Sequence, residues 1–279
     1  MEKWNLVVDV ARCTNCQLCV LACHDEHVGN RFPGYAEEMP KHGHRWIEIK
    51  TRERGTPPMV DVAYLPVMCQ HCDDAPCIKA ARDGAIAKRP DGIVVIDPEK
   101  AKGQRHLVEA CPYGAIWWNE DKEVPQHWIF DAHLLDAGWK EPRAVTVCAP
   151  AALSALKVED AEMRRRAAAD GLEPLRPDLA TAPRVWYKNL WRYTTCFVGG
   201  SVEAEADGVV DCLAGARVSL WRGADKIGET TTDAYGDFRL DRLEPGSGAY
   251  RVTVEADGRP ARTRDVTLGQ SVWLGDIRL

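Results

Sequence analysis

The chain has 279 residues, of which 45% are hydrophobic and 28% charged, close to globular averages and with room for two domains of ordinary size. That balance argues against disorder, a collagen-like repeat or a bare disulfide scaffold. A net charge of -6 speaks against nucleic-acid binding, and no run nears the ~18 apolar residues that span a bilayer, so no membrane role is expected.

In chain order, the opening MEKWNLVVDVARC lacks the charged start, long apolar stretch and cleavage site of a secretory leader, which points to the cytoplasm. LVVDV (6–10) is a β-branched run that reads as a strand, and GIVVIDPEK (92–100) reads as a second strand of the same small sheet, ending at Asp97-Pro98. Between them, residues 29–66 form a long loop with a strand inserted around Trp46, Ile47 and Ile49, a length usually reserved for function or an interface. Residues 151–170, rich in Ala, Leu, Glu and Arg and stopped by Gly171, predict one helix. Arg164, Arg165 and Arg166 belong to its solvated face. The aromatic run with Trp186, Tyr187, Trp191 and Tyr193 reads equally as a subunit contact or as packing within the chain. From about 199, short alternating segments at 216–222, 227–233, 236–241, 249–256 and 263–268 predict an all-β sandwich.

The cysteines carry the chemistry. Eight of the eleven lie within the first 111 residues, and in a reducing cytosol clustered thiols are metal ligands before they are disulfides. Cys13, Cys16, Cys19 and Cys23 have the C-x2-C-x2-C-x3-C spacing of the ferredoxin run, in which soft thiolates hold a [4Fe-4S] cube and the last Cys serves another cluster. Zinc sites instead use Cys pairs a dozen or more residues apart. Cys69, Cys72 and Cys77 offer three corners of a second cube, and Cys111, followed by Pro112, completes one of the two. Spacing leaves two assignments open. Either Cys23 completes 69/72/77 while Cys111 completes 13/16/19, or Cys111 completes 69/72/77 and Cys148 joins 13/16/19. Cys196 and Cys212 are expected to be small buried residues. His24, His27, His42, His44 and His71 are expected to be loop residues, with His71 hydrogen-bonding to a ligand sulfur and so tuning its cluster.

Through MCQHCDDAPC, DGIVVIDPEKAKG, CPYGAIWWNED, DAHLLD and PRVWYKNLWR the chain resembles the iron-sulfur subunits that partner molybdopterin enzymes of the dimethyl sulfoxide reductase family. Within that family it is similar to the branch of pyrogallol-phloroglucinol transhydroxylases and resorcinol-type hydroxylases. GARVSL, TTTDAYGDFRL and YRVTV resemble transthyretin-like and carboxypeptidase-regulatory β modules. The resemblance implies an α+β fold: a ferredoxin-like iron-sulfur domain with long insertions over 1–156, a helix and aromatic linker over 157–198, and a β-sandwich or barrel over 199–279. It implies two clusters, {Cys13, Cys16, Cys19, Cys148} and {Cys69, Cys72, Cys77, Cys111}. A third cluster would need Cys at Trp128, Asp131 and Ala144, which leaves Cys23 free. It also implies a large catalytic partner carrying molybdenum on molybdopterin guanine dinucleotide, with no catalytic residue on this chain. Transhydroxylation of polyhydroxylated aromatics is the expected activity of the complex. The rivals are a hydroxylase that exports electrons and a free-standing two-cluster ferredoxin.

Overall fold

A computed structural model describes all 279 residues. Met1–Thr51 and Tyr64–Leu190 make one unit, and Arg52–Ala63 and Trp191–Leu279 make a second. In chain order the strands before residue 190 are β1 (Lys3–Asp9), β2 (Ile47–Thr56), β3 (Met59–Met68), β4 (Ile86–Lys88), β5 (Val94–Ile96), β6 (Trp117–Asn119), β7 (Val124–Gln126), β8 (Leu153–Val158) and β9 (Val185–Lys188).

β1 is the middle of a three-stranded sheet. It buries Leu6 and Val8 fully and pairs antiparallel with β8, from Lys3↔Val158 to Val8↔Leu153. On its other side it runs parallel to β9, from Leu6↔Val185 to Asp9↔Lys188. The helix predicted over 151–170 is therefore shortened to Asp160–Asp170, because the chain from Leu153 to Val158 gives its backbone bonds to β1 instead. Pairing with a buried strand outweighs the modest helix preference of Ala, Leu and Lys. The predicted stop holds: Gly171 takes φ +63°, a conformation glycine adopts without steric cost. Arg165 and Arg166 pair with Glu162 one turn back.

The run at 92–100 does not join β1. Its strand, β5, pairs with β4 from Ile86↔Ile96 to Lys88↔Val94. It ends where Asp97 accepts the Glu99 and Lys100 amides and caps a one-turn helix begun by Pro98, as capping chemistry requires. The long loop holds more than one strand, since β2 and β3 form a two-stranded hairpin. The aromatic segment up to Leu190 belongs to the first unit. Tyr187 is fully buried there, donating to the Pro66 carbonyl at 3.1 Å and accepting from Gln70 Nε2 at 3.2 Å.

The second unit contains β10 (Cys196–Ala206), β11 (Val209–Cys212), β12 (Arg217–Arg222), β13 (Asp225–Thr231), β14 (Asp237–Leu243), β15 (Gly248–Glu255), β16 (Arg262–Leu268) and β17 (Val272–Arg278). One sheet has the order β11-β10-β14, with β17 parallel to β10, and the other has the order β13-β12-β15-β16. Val202, Val218, Leu220, Phe238, Val252 and Ile277 share one core, the alternating inward set of a sheet-on-sheet packing. The five predicted segments are all strands, and β10, β11 and β17 are additional. β10 hides behind Gly199-Gly200, where a Cβ would come within 2.4 Å of Met59 Sδ and 2.8 Å of the Phe238 ring. Close approach, and no lack of strand structure, explains the glycines. Cys196 is buried as expected, whereas Cys212 lies exposed on β11, a strand paired only along one side.

Candidate metal centres

β1 and β8 run antiparallel, so the chain leaving β1 and the chain entering β8 meet at one end of the sheet, with the Asp9 amide bonded to the Ala152 carbonyl at 2.7 Å. Cys13 and Cys16 follow β1 in a loop turned by the left-handed Asn15 and Gln17. Cys19 sits in the first turn of the Leu18–His27 helix. Cys148 precedes β8, its sulfur accepting the Leu153 amide at 3.4 Å. The four thiols interact: burial pushes Cys19 up to about 12, and the charges of Cys13, Cys148 and Cys16 add to it. Cys13 is raised by burial too, with Cys148 and Cys16 again its sulfur neighbours. Cys16 is the exposed member.

The second group is enclosed. Cys69 leaves β3, Cys72 follows three residues later, Cys77 lies in the one-turn helix Pro76–Ala80, and Cys111 precedes the Pro112 turn. All four line a small cavity whose other walls include Ile86, Val94, Ile96, Ile116, Tyr113 and His127. Burial raises Cys69 well above the usual thiol range, and the charges of Cys111, Cys77 and Cys72 raise it further. Cys77 is pushed up to about 12 by burial, with Cys111 and Cys72 adding to it.

Thiolates forced together in a desolvated wall repel one another, and either protons or bound cationic charge relieve the repulsion. No three His, Cys, Asp or Glu side chains come close enough to grip a single ion. Four soft sulfurs spaced around an apolar cavity suit a cluster that fills the space between them.

Cys23 is buried elsewhere. Desolvation raises its thiol far above the usual range, and its charged neighbours are Asp131, Cys19 and Glu26. Asp131 accepts from Trp128 Nε1 at 3.3 Å and from the Arg143 amide at 2.8 Å, and it lies 3.6 Å from His27 Nε2. Trp128 and Ala144 are both buried. Where a third set of thiols would stand, the chain packs an indole and a carboxylate whose hydrogen bonds are made.

His42, His44 and His71 lie in loops as expected, whereas His24 and His27 belong to the Leu18–His27 helix. His27 is fully buried at the end of a helix, and His24 donates to the His44 carbonyl, which makes them structural. His71 Nδ1 accepts the Val94 amide at 3.1 Å, so that nitrogen carries no proton. It stands 3.9 Å from Cys69 Sγ and cannot donate to a sulfur that is a thiolate. The expected His71–sulfur bond is replaced by a neutral ring that burial keeps well below the usual histidine range. Sequence reasoning missed two groups beside the second quartet. Lys88 Nζ donates to the His71 and Cys72 carbonyls at 2.7 and 3.0 Å. The Thr181 and Tyr113 hydroxyls meet at 2.7 Å, with Thr181 also hydrogen-bonded to the Cys72 thiol. Neither Lys88 nor Thr181 lies in a recognisable motif.

Residues 60–157 match a family model described as a 4Fe-4S dicluster domain, and residues 198–279 match a carboxypeptidase regulatory-like domain. The chain is 42% identical to the pyrogallol hydroxytransferase small subunit of Pelobacter acidigallici, covering 100% of both chains. It is 29% identical to a tetrathionate reductase subunit of Salmonella typhimurium, over 68% of this chain and 73% of that one. It is 33% identical to the arsenate respiratory reductase iron-sulfur subunit of a Shewanella species, over 50% and 55%.

Proposed function

The chain belongs to the iron-sulfur small subunits of molybdenum oxidoreductases and hydroxytransferases, the family that includes the pyrogallol hydroxytransferase small subunit, and on that footing we propose how it works. It is the electron-carrying subunit of a heteromeric enzyme that moves hydroxyl groups between polyhydroxylated aromatics. Catalysis belongs to a large partner subunit with molybdenum on molybdopterin guanine dinucleotide. Two [4Fe-4S] clusters sit on this chain, one held by Cys13, Cys16, Cys19 and Cys148 and one by Cys69, Cys72, Cys77 and Cys111, while Cys23 stays free. A bound cluster supplies a one-electron carrier at each quartet.

The chain's own residues do the rest. Cys thiolates hold iron, and the Ile86, Val94, Ile96 and Ile116 wall excludes water from the second quartet, which controls its potential. The observation that carries the hydroxytransferase reading is 42% identity extending over both full chains, the C-terminal β unit included. Eleven cysteines with no disulfide among them suit a reducing cytoplasm, and no helix is long and apolar enough to cross a membrane.

The test is turnover by the purified complex without an added acceptor. Hydroxyl transfer between two aromatics without net dye reduction supports the proposal. Steady reduction of a dye by substrate alone contradicts it and makes the chain part of an electron-exporting hydroxylase. A chain that purifies alone, monodisperse and with reversible clusters, is a free-standing ferredoxin.

A further inference from the structure

Lys88 reaches the second quartet from the end of β4, on the wall formed by Ile86 and its β5 partner Ile96. Its ammonium donates to two carbonyls of the loop that carries the quartet's first two cysteines, His71 at 2.7 Å and Cys72 at 3.0 Å, and lies 2.6 Å from Asp73 Oδ1. Asp73 is also held by Arg184, whose Nε donates to its Oδ1 at 2.7 Å, and Arg184 itself is 4% exposed. Two cations and one carboxylate are thus fixed against one thiol group. At the first quartet the largest charges acting on Cys13 and Cys19 are those of the quartet's other thiols.

A neutral donor would staple the loop as well as Lys88 does, without the desolvation that pulls the Lys88 ammonium below its usual range. The charge has its own effect, because the two carbonyls hold the ammonium against the loop that carries Cys69 and Cys72. A cluster becomes more negative on reduction, so a fixed positive charge beside it stabilises the reduced state and raises its potential.

We propose that Lys88 and Asp73 form an opposed pair that sets the potential of the second cluster, Lys88 raising it and Asp73 lowering it, with Arg184 holding Asp73 in place. This rests on the quartet assignment above. Lys88 is a positioning residue: it touches the backbone of the cluster loop and neither iron nor substrate.

The test is a potentiometric titration of the whole complex followed by electron spin resonance, with the first cluster as internal reference. Lys88→Met should lower the second potential, Asp73→Asn should raise it, and Lys88→Arg should leave it near that of the unmodified complex. The first cluster should stay unmoved throughout. A purely structural staple would give no shift, or shifts of one sign in both Lys88→Met and Asp73→Asn, and either result overturns the proposal. If Lys88→Met fails to assemble, the Asp73→Asn arm decides alone, and the absence of a rise overturns it. An unmodified complex with one reducible cluster would sink the quartet assignment first, and this proposal with it.

Discussion

The second quartet and the surroundings of Cys23 lie in the same unit but differ in their ligands, four thiols in one and, in the other, Cys23 beside Trp128, Asp131 and Ala144. One sets four thiols around a small, mostly apolar cavity. In the other, the Trp128 indole donates to the Asp131 carboxylate, and Trp128, Asp131 and Ala144 are all buried.

Substitutions in the two places should separate iron binding from packing. Cys111→Ser removes a corner of the enclosed quartet, and iron per chain should fall by about four while the thermal transition drops steeply. Trp128→Ala empties the filled place instead. It should leave iron content unchanged but cost about 3–5 kcal/mol in a denaturant melt, and loss of iron in this variant would mean that Trp128 supports a cluster.

His127, in the wall of the second cavity, distinguishes the two places by pH. Burial pulls it down to about 4, so the unfolded chain binds its proton first. Its contribution to stability is complete above pH 6.5 and is lost as pH falls towards 4, on the order of 3 kcal/mol in all. His71 is lowered by burial as well and adds a contribution of the same sign. Melting temperatures at pH 7 and pH 5 should differ less in His127→Gln than in the unmodified protein, and an unchanged difference would show that His127 plays no such part. Cys23→Ser should do least. Iron content and both resonance signals should persist, with a loss of only about 1–3 kcal/mol for burying a hydroxyl.

What is legible in the sequence is local. Cys13, Cys16 and Cys19 share one turn and a helix start, and Cys69, Cys72 and Cys77 share one loop, so spacing alone exposes them. Asp97-Pro98 and Gly171 mark ends through chemistry that acts over three or four residues. What stays hidden depends on distant pairing. Cys148 comes beside Cys13 only because β8 pairs with β1, and the same pairing turns Leu153–Val158 from helix into strand. β10 is masked by glycines that another side chain's close approach demands. His71 reads wrongly from sequence because the Val94 amide, 23 residues away, occupies its nitrogen. Lys88 gives no signal, since its role lies in the carbonyls of a loop it meets across the fold.

Iron analysis of the purified complex, with spin-resonance counting of the reduced centres on this subunit, decides the two-cluster reading. Two occupied quartets predict about eight iron atoms per small subunit and two resonance signals, both retained in Cys23→Ser. About twelve iron atoms per small subunit, or the loss of a signal in Cys23→Ser, would contradict it.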